Sequence, residues 1–185
     1  MDKNNKTSTV YSIGHSDKNL ETLISELKAW EIKYVLDVRS TPYSKKYPHF
    51  NREILKMELK KHEIIYAYFG GNLGGLPSDR SCYTDGRVDY QKVEQKVFFK
   101  EGIKRIKDAN NQGLNIALMC SECDPKTCHR SKLIGQALMK ENVEMNHIIS
   151  SKRVKSQTEV INELTKGRAN IFEQTPMFYS RKIYI

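Results

Sequence analysis

The chain has 185 residues, 38% of them hydrophobic and 29% charged, proportions that suit a single soluble domain with a modest core and a heavily charged surface. Lysine and arginine outnumber aspartate and glutamate by 31 to 22, and the formal charge of +9 favours an anionic partner, although the basic residues are spread without a dense block. No stretch approaches the ~20 apolar residues of a membrane span, and Met1 to Ser8 is polar, so a membrane segment and a signal peptide are excluded and a cytoplasmic location is expected.

Thr9 to Ile13 is a short β-prone run closed by Gly14, and His15, Ser16 and Asp17 lead into a helix whose Leu20, Leu23, Ile24 and Leu27 share one face. Ser16 or Asp17 is expected to cap that helix. Tyr34 to Val38 reads as a buried strand ended by Ser40-Thr41-Pro42. A second helix is expected from about Arg52 to Lys61, with Ile54, Leu55 and Leu59 inward, followed by a strand from Ile64 to Phe69.

Gly70 to Pro77 is a glycine-rich stretch, and polar, turn-forming residues continue it to about Val88. A loop of that length inside a compact domain is usually functional. It ends in no Gly-Lys-Ser/Thr and opens no helix after a first strand, so no nucleotide-cofactor motif is present. Val93, Val97, Ile103 and Ile106 suggest a long helix, with a break near Gly102 and an end at Gly113. Leu114 to Met119, the most apolar run of the chain, predicts a central strand buried on both faces. Leu133, Ile134, Ala137 and Leu138 line the next helix, Val143 to Ile149 is a strand, and Val160, Ile161 and Leu164 mark a last helix before a C-terminal stretch that no pattern places.

Strands that alternate with helices imply parallel crossovers, hence an α/β fold of three layers, Rossmann-like, with a mostly parallel sheet between helices. One α/β domain is expected over residues 1–185. In such sheets ligands bind beyond the carboxyl ends of the strands. The residues there are His15 and Ser16, then Asp37 and Arg39, then the glycine loop with Gly74 and Gly75, then Cys120 to Arg130, and finally Ser150, Lys152 and Arg153.

The segment from Cys120 to Arg130 holds most of the reactive chemistry. Three of the four cysteines, Cys120, Cys123 and Cys128, fall within nine positions, which in a chain without a secretion signal points to reduced thiols, catalysis or a metal rather than a disulfide framework. Cys120 and Glu122 leave a strand, and Cys128, His129 and Arg130 open a helix, where amides and a guanidinium depress a thiol pKa and attract an anion. Cys120 or Cys128 is therefore a candidate nucleophile, His129 a base, acid or anion ligand, and Glu122 a proton acceptor. Set against this, free cysteines are among the most buried residue types and often only pack. Cys123 is the one expected to be incidental.

A metal ion competes for the same atoms. Cys120 and Cys123 have zinc-knuckle spacing, but a second spaced pair is missing and adjacent Cys128 and His129 ligands look awkward. A catalytic ion held by some of His15, Asp37, Glu122 and His129 stays open. Asp37 and Arg39 share one side of a strand, fit for a structural pair or for orienting a histidine and binding an anion. Arg39, Lys45, Lys46 and His49 interleave with Tyr43, Tyr47 and Phe50, a mix that also stacks bases and contacts phosphates. Lone His15 has a structural as well as a catalytic reading. His147, inside a strand, is expected to be a hydrogen-bonded core residue, and His62 to lie at the surface.

Taken together, Tyr11-Ser12-Ile13-Gly14-His15-Ser16, Leu36-Asp37-Val38-Arg39-Ser40-Thr41-Pro42, Pro48-His49-Phe50-Asn51, Leu73-Gly74-Gly75 and Cys120-x-Glu122 with Cys128-His129-Arg130 resemble the family called domain of unknown function 488. The resemblance runs from about residue 11 to 149, leaving 150–185 as an extension expected to pack on the same domain. It implies an α/β fold and a shared polar set of His15, Asp37, Arg39, Cys120, Glu122, Cys128, His129 and Arg130, without a reaction. The expectation is an enzyme acting on a phosphorylated or nucleic-acid-derived substrate. The alternatives are a nucleic-acid or nucleotide binding module without catalysis, a metal-dependent hydrolase and, less favoured, a rhodanese-like sulfur transferase.

Overall fold

The computed structural model describes residues 9–167 and 178–184. The chain runs from β1 (Val10–Gly14) through α1 (Leu20–Ala29), β2 (Tyr34–Asp37), α2 (Arg52–Lys61) and β3 (Ile65–Tyr68) to a single helical turn, α3 (Gly70–Leu73). A short hairpin of β4 (Tyr83–Thr84) and β5 (Arg87–Val88) precedes α4 (Tyr90–Glu94) and α5 (Val97–Asn111). Then follow β6 (Ile116–Cys120), a wide helical turn (Arg130–Gly135) continued by α6 (Gln136–Lys140), β7 (Met145–Ser150), β8 (Arg153–Ser156) and α7 (Gln157–Thr165).

The main sheet has the order β3-β2-β6-β1-β7-β8, parallel throughout except at the β7–β8 edge. Alternation along its strands sends successive side chains into two cores. Leu36, Ile116 and Leu118 pack with Phe99, Ile103 and Ile106 of α5 on one face, and Val35, Ala117 and Met119 pack with Leu23 and Leu27 of α1 and Leu55 and Leu59 of α2 on the other. The three-layer α/β expectation is thus met, and β6 is buried at every residue because helices cover both its faces.

Strand order departs from the common doubly wound sheet in one place. There the first strand neighbours the second. Here β6 is inserted between β1 and β2, with Cys120 level with Gly14 of β1 and Met119 level with Asp37 of β2. The chain leaving β6 therefore emerges between His15 and the Asp37–Arg39 turn.

Several local expectations are corrected. Asn19, not Ser16 or Asp17, caps α1, its Oδ1 accepting from the Thr22 amide at 2.7 Å. Ser16 sits in a turn at φ 46° instead. Ile54 is 38% exposed, since Leu55 and Leu59, one turn apart, already fill the buried stripe of α2. The helix through Gly102 is unbroken, and the interruption falls at Gln95 and Lys96, between α4 and α5. Ser150, Lys152 and Arg153 stand at the carboxyl edge, in the turn where β7 doubles back into β8, but β1 separates that turn from the end of β6. The stretch after Gly70 is not a free loop but α3 and then the β4–β5 hairpin. Phe178 to Tyr184 lies along that hairpin, with Ser180 donating to Val88 O at 3.0 Å, Tyr90 donating to Phe178 O at 3.2 Å and Tyr184 donating to Gly86 O at 2.7 Å. No helix among the described residues is long and apolar enough to cross a membrane.

Candidate active site

Beyond the end of β6 the chain crosses over the end of β1 so closely that a Cβ on Gly14 would stand 1.9 Å from Glu122 O. Only a bare backbone fits there, and the His15 and Ser16 amides donate to Cys120 O and Ser121 O at 3.0 and 2.8 Å. These bonds fix Cys120 and Glu122 on β1. After a short helical turn at Pro125–Thr127, the chain returns through Cys128, His129 and Arg130 into a π-helical turn. Such wide turns are frequent at functional sites. The Ser131 carbonyl in it accepts from the Gln157 amide at 2.8 Å.

This return brings two sulfurs, an imidazole and a carboxylate together. Cys120 Sγ donates to Glu122 Oε2 at 2.9 Å, and Cys128 Sγ lies 3.4 Å from the same oxygen. His129 Nδ1 is 3.8 Å from Cys120 Sγ and 3.7 Å from Cys128 Sγ. Its other nitrogen, Nε2, donates to the Val38 carbonyl at 3.1 Å, which aims Nδ1 at the sulfurs. Cβ placement on Gly75 would meet that ring at 2.9 Å, so the second half of the glycine stretch is a backbone wall against His129.

Arg130 is 1% exposed and ion-pairs with no carboxylate among the described residues. Its Nε donates to Cys128 Sγ at 3.1 Å, Nη2 to Glu122 O at 2.5 Å and Nη1 to Ser12 Oγ at 3.3 Å. A buried guanidinium needs an opposite charge, and the Cys128 sulfur is the group it touches. Burial pushes the Cys128 thiol up, but the hydrogen bond from Cys120, the Arg130 charge and His129 outweigh it and hold Cys128 well below its ordinary value. Cys120 moves the other way, raised by its hydrogen bond with Cys128 and by burial. Burial alone lowers His129, yet the neighbouring Cys128 charge and hydrogen bond leave it raised.

Behind this corner lies a second polar chain. Ser12 Oγ, while accepting from Arg130, pairs with His147 Nδ1 at 2.6 Å, and His147 Nε2 pairs with Gln157 Oε1 at 2.8 Å. His147 is fully buried and hydrogen-bonded at both nitrogens, as a core histidine should be.

Asp37 and Arg39 form a buried ion pair, with Arg39 Nε 2.8 Å from Asp37 Oδ1 and Nη2 2.5 Å from Oδ2. Tyr66 donates to Asp37 Oδ2 at 2.7 Å, and Arg39 Nη2 also donates to Phe50 O at 2.9 Å. Arg39 Nη1 donates to His15 Nε2 at 3.2 Å, and His15 Nδ1 donates to Ser16 O at 3.0 Å. His15 stacks on Phe50 with ring centroids 4.1 Å apart. Asp37 thus reaches His15 only through Arg39, and burial followed by the Arg39 charge lowers the His15 pKa to about 4, so the ring is neutral at pH 7.

A cavity of about 220 Å³ opens over the sulfur corner. Cys120, Glu122, His129, Arg39 and Gly75 face it, while Cys128 and Arg130 lie behind Cys120, His15 and Asp37 lie behind Arg39, and half-buried Ser16, bonded to Ser121 O, is not part of its lining. Gly74 packs against Ser40, and Lys45 is exposed on its loop away from the cavity. Cys123 is exposed and its thiol is free, as are the other three. The rim holds residues that no motif announced: Tyr90, Arg181, Lys182 and Tyr184. Ser12 and Tyr66 support the site from strand faces, bonded to Arg130 and to Asp37, and their only mark in the sequence is a polar group within an apolar strand.

A family model described as Domain of unknown function DUF488 matches residues 19–136. No curated protein and no solved structure matches the chain significantly.

Proposed function

The chain belongs to the Domain of unknown function DUF488 family, and on the chemistry of its site we propose that it is an enzyme acting on a phosphorylated or nucleic-acid-derived substrate. The observation that carries this reading is the cavity lined inside by Cys120, Glu122, His129 and the buried Arg39, with exposed Arg181 and Lys182 at its rim. Two exposed cations stand at the opening, while the single carboxylate of the lining, Glu122, lies beside the sulfurs. An anionic group is drawn in and held at the rim, and the bond to be broken comes to Glu122.

Glu122 is the proton-handling group in this reading. It faces the cavity and accepts from Cys120, so it is placed to take a proton from an attacking group and return it to the leaving atom. At about 220 Å³ the cavity is below the ~300–1,000 Å³ of pockets for drug-sized molecules. It admits one phosphate-bearing unit, or the terminal unit of a longer nucleic acid. The free state of Cys82, Cys120, Cys123 and Cys128 suits a reducing compartment, in keeping with a cytoplasmic setting.

The test is turnover of p-nitrophenyl phosphate, bis(p-nitrophenyl) phosphate, mononucleotides and short oligonucleotides, with products read by mass spectrometry. At least one class should be converted, with kcat reduced about 100-fold or more in Glu122→Gln. Arg181→Ala and Lys182→Ala should raise KM with little change in kcat. Conversion that is indifferent to Glu122→Gln, or no conversion of any class, removes the enzymatic reading.

One observation favours a binding module instead. Tyr43 is 62% exposed and, with exposed Lys45 and Lys46, follows the rim residues Ser40 and Thr41. Oligonucleotide binding that weakens steeply with salt, without any product formed, would favour this second reading.

A further inference from the structure

Cys120, Cys128 and His129 present more soft ligands at one point than a nucleophile and its base require. Their two sulfurs and the imidazole nitrogen lie within 4.8 Å of one another. In a tetrahedral site with zinc–sulfur bonds of about 2.3 Å and zinc–nitrogen bonds of about 2.0 Å, adjacent ligand atoms stand roughly 3.5–3.8 Å apart. His129 Nδ1 is 3.8 and 3.7 Å from the two sulfurs, which is the edge length of such a tetrahedron. Glu122 Oε2, 2.9 and 3.4 Å from the same sulfurs, stands on the cavity side near the remaining corner.

The supporting contacts are those of a metal centre. His129 Nε2 donates to the Val38 carbonyl, which fixes the ring and leaves the Nδ1 lone pair for an ion. Arg130 Nε and its backbone amide approach Cys128 Sγ at 3.1 and 3.5 Å, as donors do at a ligating thiolate. The adjacency of Cys128 and His129, awkward in a regular helix, is accommodated by the bend between the Pro125–Thr127 turn and the π-helical turn.

We propose that Cys120, Cys128 and His129 bind a zinc ion whose fourth position opens on the cavity, with Glu122 beside it. Two sulfurs and a nitrogen select zinc over magnesium or calcium. Binding of the ion rests on ligand geometry alone, and its part in turnover rests on the enzymatic reading above. In that part, a water at the open position gives a proton to Glu122 as its oxygen bonds to the electrophilic atom of the substrate. Glu122 passes the proton to the leaving atom as that bond breaks, so no oxidant or reductant is involved.

The experiment uses the full chain, stripped with a chelator and titrated with Co²⁺ and then Zn²⁺, alongside elemental analysis of protein as purified. One equivalent of Co²⁺ should bind with thiolate-to-cobalt charge-transfer absorption and the intense visible bands of a tetrahedral site, and Zn²⁺ should displace it. Cys120→Ser and Cys128→Ser should weaken binding about 100-fold or more, Cys123→Ser should leave it unchanged, and Glu122→Gln should keep the ion. Circular dichroism checks that each variant folds, and the wild-type cobalt spectrum decides the matter if Cys128→Ser does not. Cobalt bound without a charge-transfer band, or with undiminished affinity in both serine variants, overturns the site. A metal-loaded protein that converts no substrate leaves the site standing and removes the enzymatic reading, whereas turnover undiminished in stripped protein overturns the catalytic part of the inference.

Discussion

His15 and His147 are two buried histidines whose hydrogen bonds require the neutral ring. His147 receives from Ser12 at Nδ1 and gives to Gln157 at Nε2, and His15 receives from Arg39 and gives to Ser16. Burial first, then Arg130 for His147 and Arg39 for His15, lowers each pKa from 6.5 to about 4, against smaller opposing effects of the Gln157 hydrogen bond and Cys128 on the one and of the Ser16 hydrogen bond and Asp37 on the other. A lowered folded-state value means that the unfolded chain binds more protons between pH 6.5 and 4. Stability is therefore complete above pH 6.5, falls as pH drops to about 4 and levels off below it. Each ring contributes on the order of 3 kcal/mol to that fall. Urea midpoints between pH 7 and 5, a window mostly above carboxylate titration, should decline, and His147→Gln should make the decline shallower by about one proton. An unchanged slope in the variant would mean that His147 is not the source. At this scale the sequence marked His147 correctly as a core residue, because a histidine inside an apolar strand has nowhere else to go. It left His15 undecided, since only the fold shows Arg39 interposed between it and the cavity.

Elements follow from patterning wherever burial is one-sided or complete. The bounds of α2 agree with expectation at both ends, and β6 was legible as a central strand from its apolar run alone. What patterning missed were elements built from polar or short segments: β8, the β4–β5 hairpin and α3, each held by pairing and packing rather than by a hydrophobic stripe. Glycines within these elements separate two physical roles. Alanine at Gly14 would place a methyl carbon 1.9 Å from the Glu122 carbonyl, whereas nothing lies within 4 Å of a Cβ on Gly71 in α3. Gly14→Ala should therefore cost at least about 2 kcal/mol and displace the backbone that carries Glu122. Gly71→Ala should be neutral or stabilise by up to about 1 kcal/mol, because a helical turn prefers alanine. Urea denaturation of both variants measures the contrast, and equal effects would show that the crossing over β1 yields more easily than its contacts suggest.

Across the whole molecule, inserting β6 between β1 and β2 gathers one site from strand ends far apart in sequence. Topological reasoning could bring His15, Asp37, Arg39 and Cys120 to one edge, but strand order decided which of them meet the cavity. The other contribution comes from Phe178 to Tyr184, a segment without periodicity, held by hydrogen bonds to the β4–β5 hairpin and Tyr90 and by Phe178 packing on the core, so no pattern in it foretold a part in the rim. Ser180 is 4% exposed, accepts from the Val88 amide at 2.9 Å and, through its own amide, donates to Val88 O at 3.0 Å. Removing residues 178–185 leaves both Val88 groups and the Tyr90 amide without these partners, at about 1–3 kcal/mol for each buried group left unsatisfied. Phe178 is the one core-packing side chain lost and the sheet keeps all its strands, so the shortened chain should fold with lower stability. It should also lose affinity for a phosphate ester about tenfold, since Arg181 and Lys182 leave with the segment. Pairing the truncation with the double variant Arg181→Ala, Lys182→Ala separates the two effects. The double variant should share the loss of affinity, read by titration calorimetry with a mononucleotide, while keeping the urea midpoint of the intact chain. Affinity retained in both proteins would mean that the anion is held by Arg39 and the floor of the cavity, and that the C-terminal segment serves stability alone.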